Sequence, residues 1–311
     1  MEKFYKTYSI RFDIGTLDFK RKTPIEINET IYVTYPITAE FAIGRSISTG
    51  TNSAIVTLYN LDENKRRLLY KDSTDIGTYI MMTISAGHDG QGCDIYRGSI
   101  DSCYSIRNGG ETEYKTVIDS RDAMLDMYLG KTTQSFDAIT KTPTRLEQMA
   151  TSLVDLVFGD ELKNGTAISQ NIEFSESERG TNNTGKTLKM LRETSYDKDG
   201  NQTMSIDLGR IYFLDQRKDI VESFGVLEID CDKGMLGSPR RRNEHISVEM
   251  LFEPEARLNQ LAVLTSTTVP WLNQAYKIMG VSHNGIISGS KDGALTTTLD
   301  LFTGFVEWQY V

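Results

Sequence analysis

Strand-like patterns fill both ends of this chain and leave the middle to a helical one, and that distribution limits the fold more than any other feature. Tyr8 to Ile14 alternates polar and apolar residues. Ile31 to Ala42 is rich in β-branched and aromatic side chains, and Tyr79 to Ala86 is apolar at nearly every position. Alternation with period two sends successive side chains to opposite faces of a sheet, so each stretch predicts a strand. Asp94 to Ile106 continues the series, with Tyr96, Ile100, Tyr104 and Ile106 expected on one face. Asn108-Gly109-Gly110 predicts a tight hairpin turn. The returning strand is expected to set Thr112, Tyr114, Thr116 and Ile118 against Glu111, Glu113 and Lys115, a ribbon with one wet face.

The middle changes period. Thr142 and Pro143 supply a helix cap and a first-turn proline. Leu146, Met149, Ala150, Leu153, Val154 and Val157 then recur at helical spacing until Gly159. A shorter helix is expected over Lys186 to Ser195, and "DKDGNQ" turns the chain into strands at Thr203 to Asp207 and Arg210 to Asp215. Strand patterns then return. "ISVEMLFEP" places Ile246, Val248, Met250 and Phe252 on one face, and "YKIMGVSHNG" with "LTTTLDLF" reads as a closing pair. The order predicts an α+β, mainly β fold. It comprises a first β domain over 1–130, a mixed insert over 131–215 and a second β domain over 216–311.

A length of 311 residues suits about two domains, and 39% apolar with 25% charged residues describes a globular chain. The 43 acidic and 34 basic residues give a net charge of −9, which argues against general nucleic-acid affinity, because phosphate contacts need a basic surface. Cys93, Cys103 and Cys231 have no metal-binding spacing and are expected as reduced thiols of a protein made in a cytosol. The amino terminus, "MEKFYKTYSIRFDIG", has no apolar signal-peptide core, and no window is long and apolar enough to predict a membrane span.

One string matches a catalytic motif. Gly180 to Thr187, "GTNNTGKT", fits the phosphate-loop pattern, with Lys186 for phosphates and Thr187 and Asp215 for magnesium. A phosphate loop follows a buried strand, however, and the preceding "EFSESER" cannot be one. The calcium-like "DKDGNQTMSID" places its glycine at the fourth position instead of the sixth, so a turn is expected there. His88, His245 and His283 are scattered, no carboxylate spacing forms an acid/base set, and no serine or cysteine sits in a nucleophile motif. "PRRRNE", Pro239 to Glu244, reads as a solvated loop. No catalytic, cofactor-binding or metal-binding residue is assigned, and no cofactor is expected.

The stretch "SAIVTLYNLDENKRRLLY", Ser53 to Tyr70, is a strand apolar on both faces that becomes a short basic helix. Asn60 can bond the turning backbone, Asp62 can cap the helix, and Leu68 and Leu69 can tuck it onto a sheet. "IVTLYNLDENKRRLL" resembles a signature of the baseplate or tail hub proteins of tailed phages, the late control protein family of contractile-tail type. "ISAGHDG" and "DIYRGSID" resemble that family's next strands, with His88 where an aromatic is more usual. "GMLGSPRRRNEHISVEMLFEPEARLNQLAVL" resembles its Gly-Ser-Pro loop and following strand, and the closing pair also matches. A family glycine is absent at Asn259-Gln260.

The resemblance implies a structural role without enzymatic activity. It implies two tail-tube-like β-barrel domains per chain and a homotrimer whose six similar domains join a six-fold tail tube to a three-fold spike. The implied partners are the tail spike protein, the tail tube protein, and tape-measure and other baseplate proteins, within the virion tail. Three chains would carry −27, three times −9, and DNA passing through the ring implies an acidic or neutral lumen, with Glu111 and Glu113 as candidates. Two other readings use parts of the same sequence: a nucleotide-binding enzyme built on "GTNNTGKT", and a six-fold tube subunit, which would be a shorter single β domain.

Overall fold

The computed structural model describes residues 6–16, 26–47, 51–75, 77–88, 90–110, 112–122, 167–168, 204–214, 219–243, 245–289 and 294–303. The expected helices over Leu146 to Val157 and Lys186 to Ser195 lie outside these residues, as do Gly180 to Thr187, Asp215 and Glu111.

The first half contributes β1 (Lys6–Thr16), β2 (Glu26–Thr34), β3 (Ala39–Ser46), β4 (Ser53–Tyr59), α1 (Glu63–Leu69), β5 (Thr78–His88), β6 (Gln91–Ile106) and β7 (Lys115–Arg121). A small sheet follows, made of β8 (Ala167–Ile168), β9 (Met204–Asp207) and β10 (Arg210–Phe213) in the order β8-β10-β9. The second half contributes β11 (Val226–Ile229), β12 (Met235–Arg242), β13 (His245–Leu251), β14 (Leu261–Leu264), β15 (Gln274–Ile287) and β16 (Leu295–Phe302). The fold is mainly β, as the alternation predicts.

Thirteen strands of both halves form one sheet. Its path runs β12-β13-β16-β15-β3-β4-β7-β6-β5-β1-β2, with β14 on β15 and β11 parallel to β14. The seam is β15 against β3, paired antiparallel from Gly280↔Ser46 to Ile287↔Ala39. β15 is long enough, at 14 residues, to hold β14 with its first part and β3 with its second.

Two apolar cores lie beneath this sheet. Ile10, Phe12, Phe41, Val56, Ile84 and Ile118 belong to the first, and Ile246, Val248, Met250, Ile278, Leu299 and Leu301 to the second. Each such side chain contributes about 1.5–3 kcal/mol when removed from water. The cores exchange residues across the seam: Phe252, Ile287 and Leu295 of the second half enter the first core, and Ile47 of the first half enters the second.

The strand-to-helix turn forms much as its residues predict. Asp62 caps α1 by accepting from the Lys65 amide at 3.0 Å, and Leu69 is buried with Leu68 against the first core. Asn60, in the left-handed region at φ 54°, does not bond locally. Its Oδ1 accepts from the Tyr114 amide at 3.1 Å and its own amide reaches the Tyr114 carbonyl at 2.8 Å, which ties the turn to the start of β7. Asp62→Ala is expected to cost about 1 kcal/mol of stability, read from urea unfolding.

Three local expectations change. The extended stretch from Ile31 to Ala42 is broken by a turn at Tyr35-Pro36 into β2 and β3. In β6, Tyr96 and Ile100 are buried while Tyr104 and Ile106 are exposed, because a register shift between Ile100 and Ser102 inserts a bulge. A bulge reverses which parity faces the core, and Cys103 becomes the buried residue instead. Finally, Arg240 to Arg242 are not a loop but the end of β12, regularly paired with Ser247, Ile246 and His245.

Candidate functional site

Directly opposed residues of neighbouring antiparallel strands share a face, so the ladder registers define one broad surface. One row runs Ser102–Asp119–Ile55–Ala42–Asn284–Thr296–Leu251 across seven strands, β6 to β13. Every residue in that row is exposed or half-buried, whereas the next residue along most strands is buried. The path β12-β13-β16-β15-β3-β4-β7-β6 therefore presents one solvent face continuously over both cores. Ile55, on the second apolar face of β4, opens onto this surface at 48% exposure and is not covered by α1.

The chemistry of that face is graded. On β13, β16, β15, β3 and β4 it carries Glu249, Asp300 and Glu40 among Ser, Thr and Asn, interspersed with Leu251, Ala42 and Ile55, with no exposed Lys or Arg among the described residues. Cations flank it: Lys115 and Arg121 on β7, and Arg240 and Arg242 on β12. Glu113 is exposed in the turn before β7. Among the described residues no group of three or more His, Cys, Asp or Glu could hold a metal ion, and no helix is long and apolar enough to cross a membrane.

Behind the face, the two halves are joined by polar contacts. The segment after β13 lies across the first half: the His88 ring meets the Phe252 carbonyl at 2.9 Å and the Cys93 thiol donates to the Pro254 carbonyl at 3.0 Å. A carbonyl only accepts, so Nε2 of His88 carries the proton. Phe252 stands between two imidazoles, with ring centroids 5.5 Å from His88 and 5.5 Å from His283. His283 is fully buried, meets the Thr297 hydroxyl at 3.0 Å, and is held well below the usual imidazole range by burial and by Arg45 and Arg257. It is therefore neutral. Two of the three scattered histidines thus converge on the seam, while His245 lies against Phe302 at 6.0 Å.

A second junction draws in the small sheet. Arg45 at the end of β3 is buried; its Nη1 donates to both carboxylate oxygens of Asp207 on β9 at 3.1 Å, and its Nη2 donates to the Ala256 carbonyl at 2.9 Å. One guanidinium of the first half therefore reaches both the small sheet and the second half. Beside it, Asn52 donates to Asp122 at 3.3 Å and to the Ile206 carbonyl at 2.9 Å, while its Oδ1 accepts from the Ser46 amide at 2.9 Å. These are structural contacts. Sequence reading missed them, since the partners lie far apart in the chain and local periodicity carries no trace of them.

The fold and site together define a mainly β protein with one sheet over two cores and a continuous solvent face. No protein-family model matches the chain, and no curated protein matches it. Solved structures do. The tail protein from Neisseria meningitidis MC58 is similar with a TM-score of 0.54 at 8% identity, over 95% of this chain and 96% of that one. The 43 kDa tail protein of prophage MuSo2 from Shewanella oneidensis is similar with a TM-score of 0.53 at 11% identity, over 95% and 97%. A chain of the lidless PdpA-VgrG complex gives a TM-score of 0.50 at 10% identity, over 98% of this chain and 66% of that one. At such identities the likeness establishes the fold.

Proposed function

We propose that this chain is a structural subunit of a phage tail or phage-like tail particle, specifically the trimeric baseplate hub that adapts a six-fold tube to a three-fold spike. Its work is mechanical, with no catalysis. The observation that carries the reading is the continuous solvent face over two cores, in a fold shared along nearly its whole length with two tail proteins. Two β units fused through the β3–β15 ladder give each subunit two ring positions. Three such subunits supply six positions, which is the arithmetic of a symmetry adaptor. The unit boundaries near residues 130 and 215, and contacts with spike, tube and tape-measure proteins, belong to this same proposal.

The solvent face is the channel lining in this reading. Its middle strands expose carboxylates and hydroxyls and no cations among the described residues, so they would not retain a passing polyanion. Closed rings need heterologous contacts, one surface of a subunit meeting a different surface of the next. The two ends of the sheet path, β12 and β2, have no further strand among the described residues and offer such unlike edges. Light scattering on the purified chain tests the stoichiometry. Three chains of 35.0 kDa give an expected mass near 105 kDa, three times 35.0. A mass of six chains would favour a tube subunit, and a single chain that joins no tail would remove the hub reading.

A further inference from the structure

Asp122, the residue after β7, is buried; its carboxylate accepts from the Asn52 side-chain amide at 3.3 Å, and its own amide donates to the Asn52 carbonyl at 2.9 Å. Asn52 in turn holds the carbonyl of Ile206, the neighbour of Asp207 on β9. Two carboxylates, Asp122 and Asp207, are thus drawn to one site from different elements. Arg45 directs Nη1 to Asp207 and Nη2 to the Ala256 carbonyl, while its buried Nε has no hydrogen-bond partner among the described residues. The charged and titratable groups acting on Asp122 are Asp207 from β9, Arg45 from β3 and Arg97 from β6, and Asp122 acts in turn on Tyr96 of β6. Arg97 also packs beside Gly209 in the β9–β10 turn, where an added Cβ would come within 3.2 Å of its Cδ.

We propose that Asn52, Asp122, Arg45 and Asp207 form a proton-dependent clasp between the small sheet and the two β units, closed while Asp122 is protonated and loosened when it ionises. This goes beyond the tail reading and does not depend on it. With a proton on Asp122, the site holds one carboxylate, Asp207, against the guanidinium of Arg45, and the neutral carboxyl sits against the Asn52 amide without charge. With the proton gone, a second negative charge stands beside Asp207 in a place from which water is excluded. Such repulsion is weakly screened. The least costly relief is separation of β9 from the end of β7, which admits water to both carboxylates. Burial, followed by the charge of Asp207, pushes the Asp122 carboxyl up to about 7, so the transition falls near neutrality.

The sign follows from linkage. A carboxyl raised in the folded state stabilises fully below its unfolded value and loses that contribution as pH rises through its folded value. His283 works in the opposite direction: a buried neutral imidazole contributes above its unfolded value and loses its contribution as pH falls below it. The whole-molecule pH profile therefore mixes the two, and the difference between wild type and Asp122→Asn isolates the clasp. The test is amide exchange at Asp122, whose N–H is held by Asn52, divided by exchange at Val56 in the core strand β4 to cancel base catalysis. From pH 6 to pH 8 the ratio is expected to rise at least threefold in the wild type and to stay constant in Asp122→Asn. A constant ratio in the wild type, or an equal rise in the variant, would overturn the clasp. Should the variant fail to fold, carbon-detected titration of the wild-type Asp122 carboxyl decides: a midpoint near neutrality supports the proposal, and one in the ordinary carboxylate range refutes it.

Discussion

Phe252→Ala is expected to destabilise the chain by about 3–5 kcal/mol, among the largest losses any single core truncation can cause. Phe252 is completely buried, and although it follows β13 of the second half, it packs in the first core between His88 and His283. Truncation leaves a cavity where a residue of the second half enters the first core, and neighbouring strands are held too firmly by their ladders to collapse into it. Both halves should therefore lose stability together. Urea unfolding followed by tyrosine fluorescence and by far-ultraviolet dichroism should give coincident transitions at a lower midpoint. A variant whose second half keeps the wild-type midpoint would show that the halves are energetically separate.

Arg45→Met is expected to cost a similar 3–5 kcal/mol, because it strands the Asp207 carboxylate in a buried site. The side chains of Arg45 and Asp207 are 0% and 3% exposed, so water cannot replace the lost partner. The Ala256 carbonyl also loses its donor. Arg45→Met combined with Asp207→Leu should recover most of the loss, since a buried pair replaced by apolar groups is often neutral. Denaturation midpoints of the two single variants and the double variant measure the coupling. Additive losses would mean that the pair contributes nothing beyond its separate parts.

The parts of this fold legible in the sequence are those fixed within a few residues. Alternation marks β1 and β13, and the buried set Ile246, Val248, Met250 and Phe252 falls on one face as the spacing implies. Asp62 announces the start of α1 because capping is a local hydrogen bond. The bulge in β6 was not legible, since one inserted residue changes no composition and yet moves Tyr104 to solvent. Nor was the site. The solvent face exists because β3 pairs with β15, and the Arg45–Asp207 contact joins residues 162 apart. Arg45 and Asp207 each read as ordinary surface charges until the chain has folded. The run Arg240 to Arg242 shows the reverse error, since three cations suggest a loop even where an edge strand carries them.

An electron-microscopy reconstruction of the assembled tail tests most directly whether this sheet lines the channel of a three-fold adaptor, as proposed. Three copies are expected at the end of the tube, with Glu40, Asn284 and Thr298 of the shared face turned toward the axis. Six copies around the axis, or that face turned outward to solvent, would contradict the proposal.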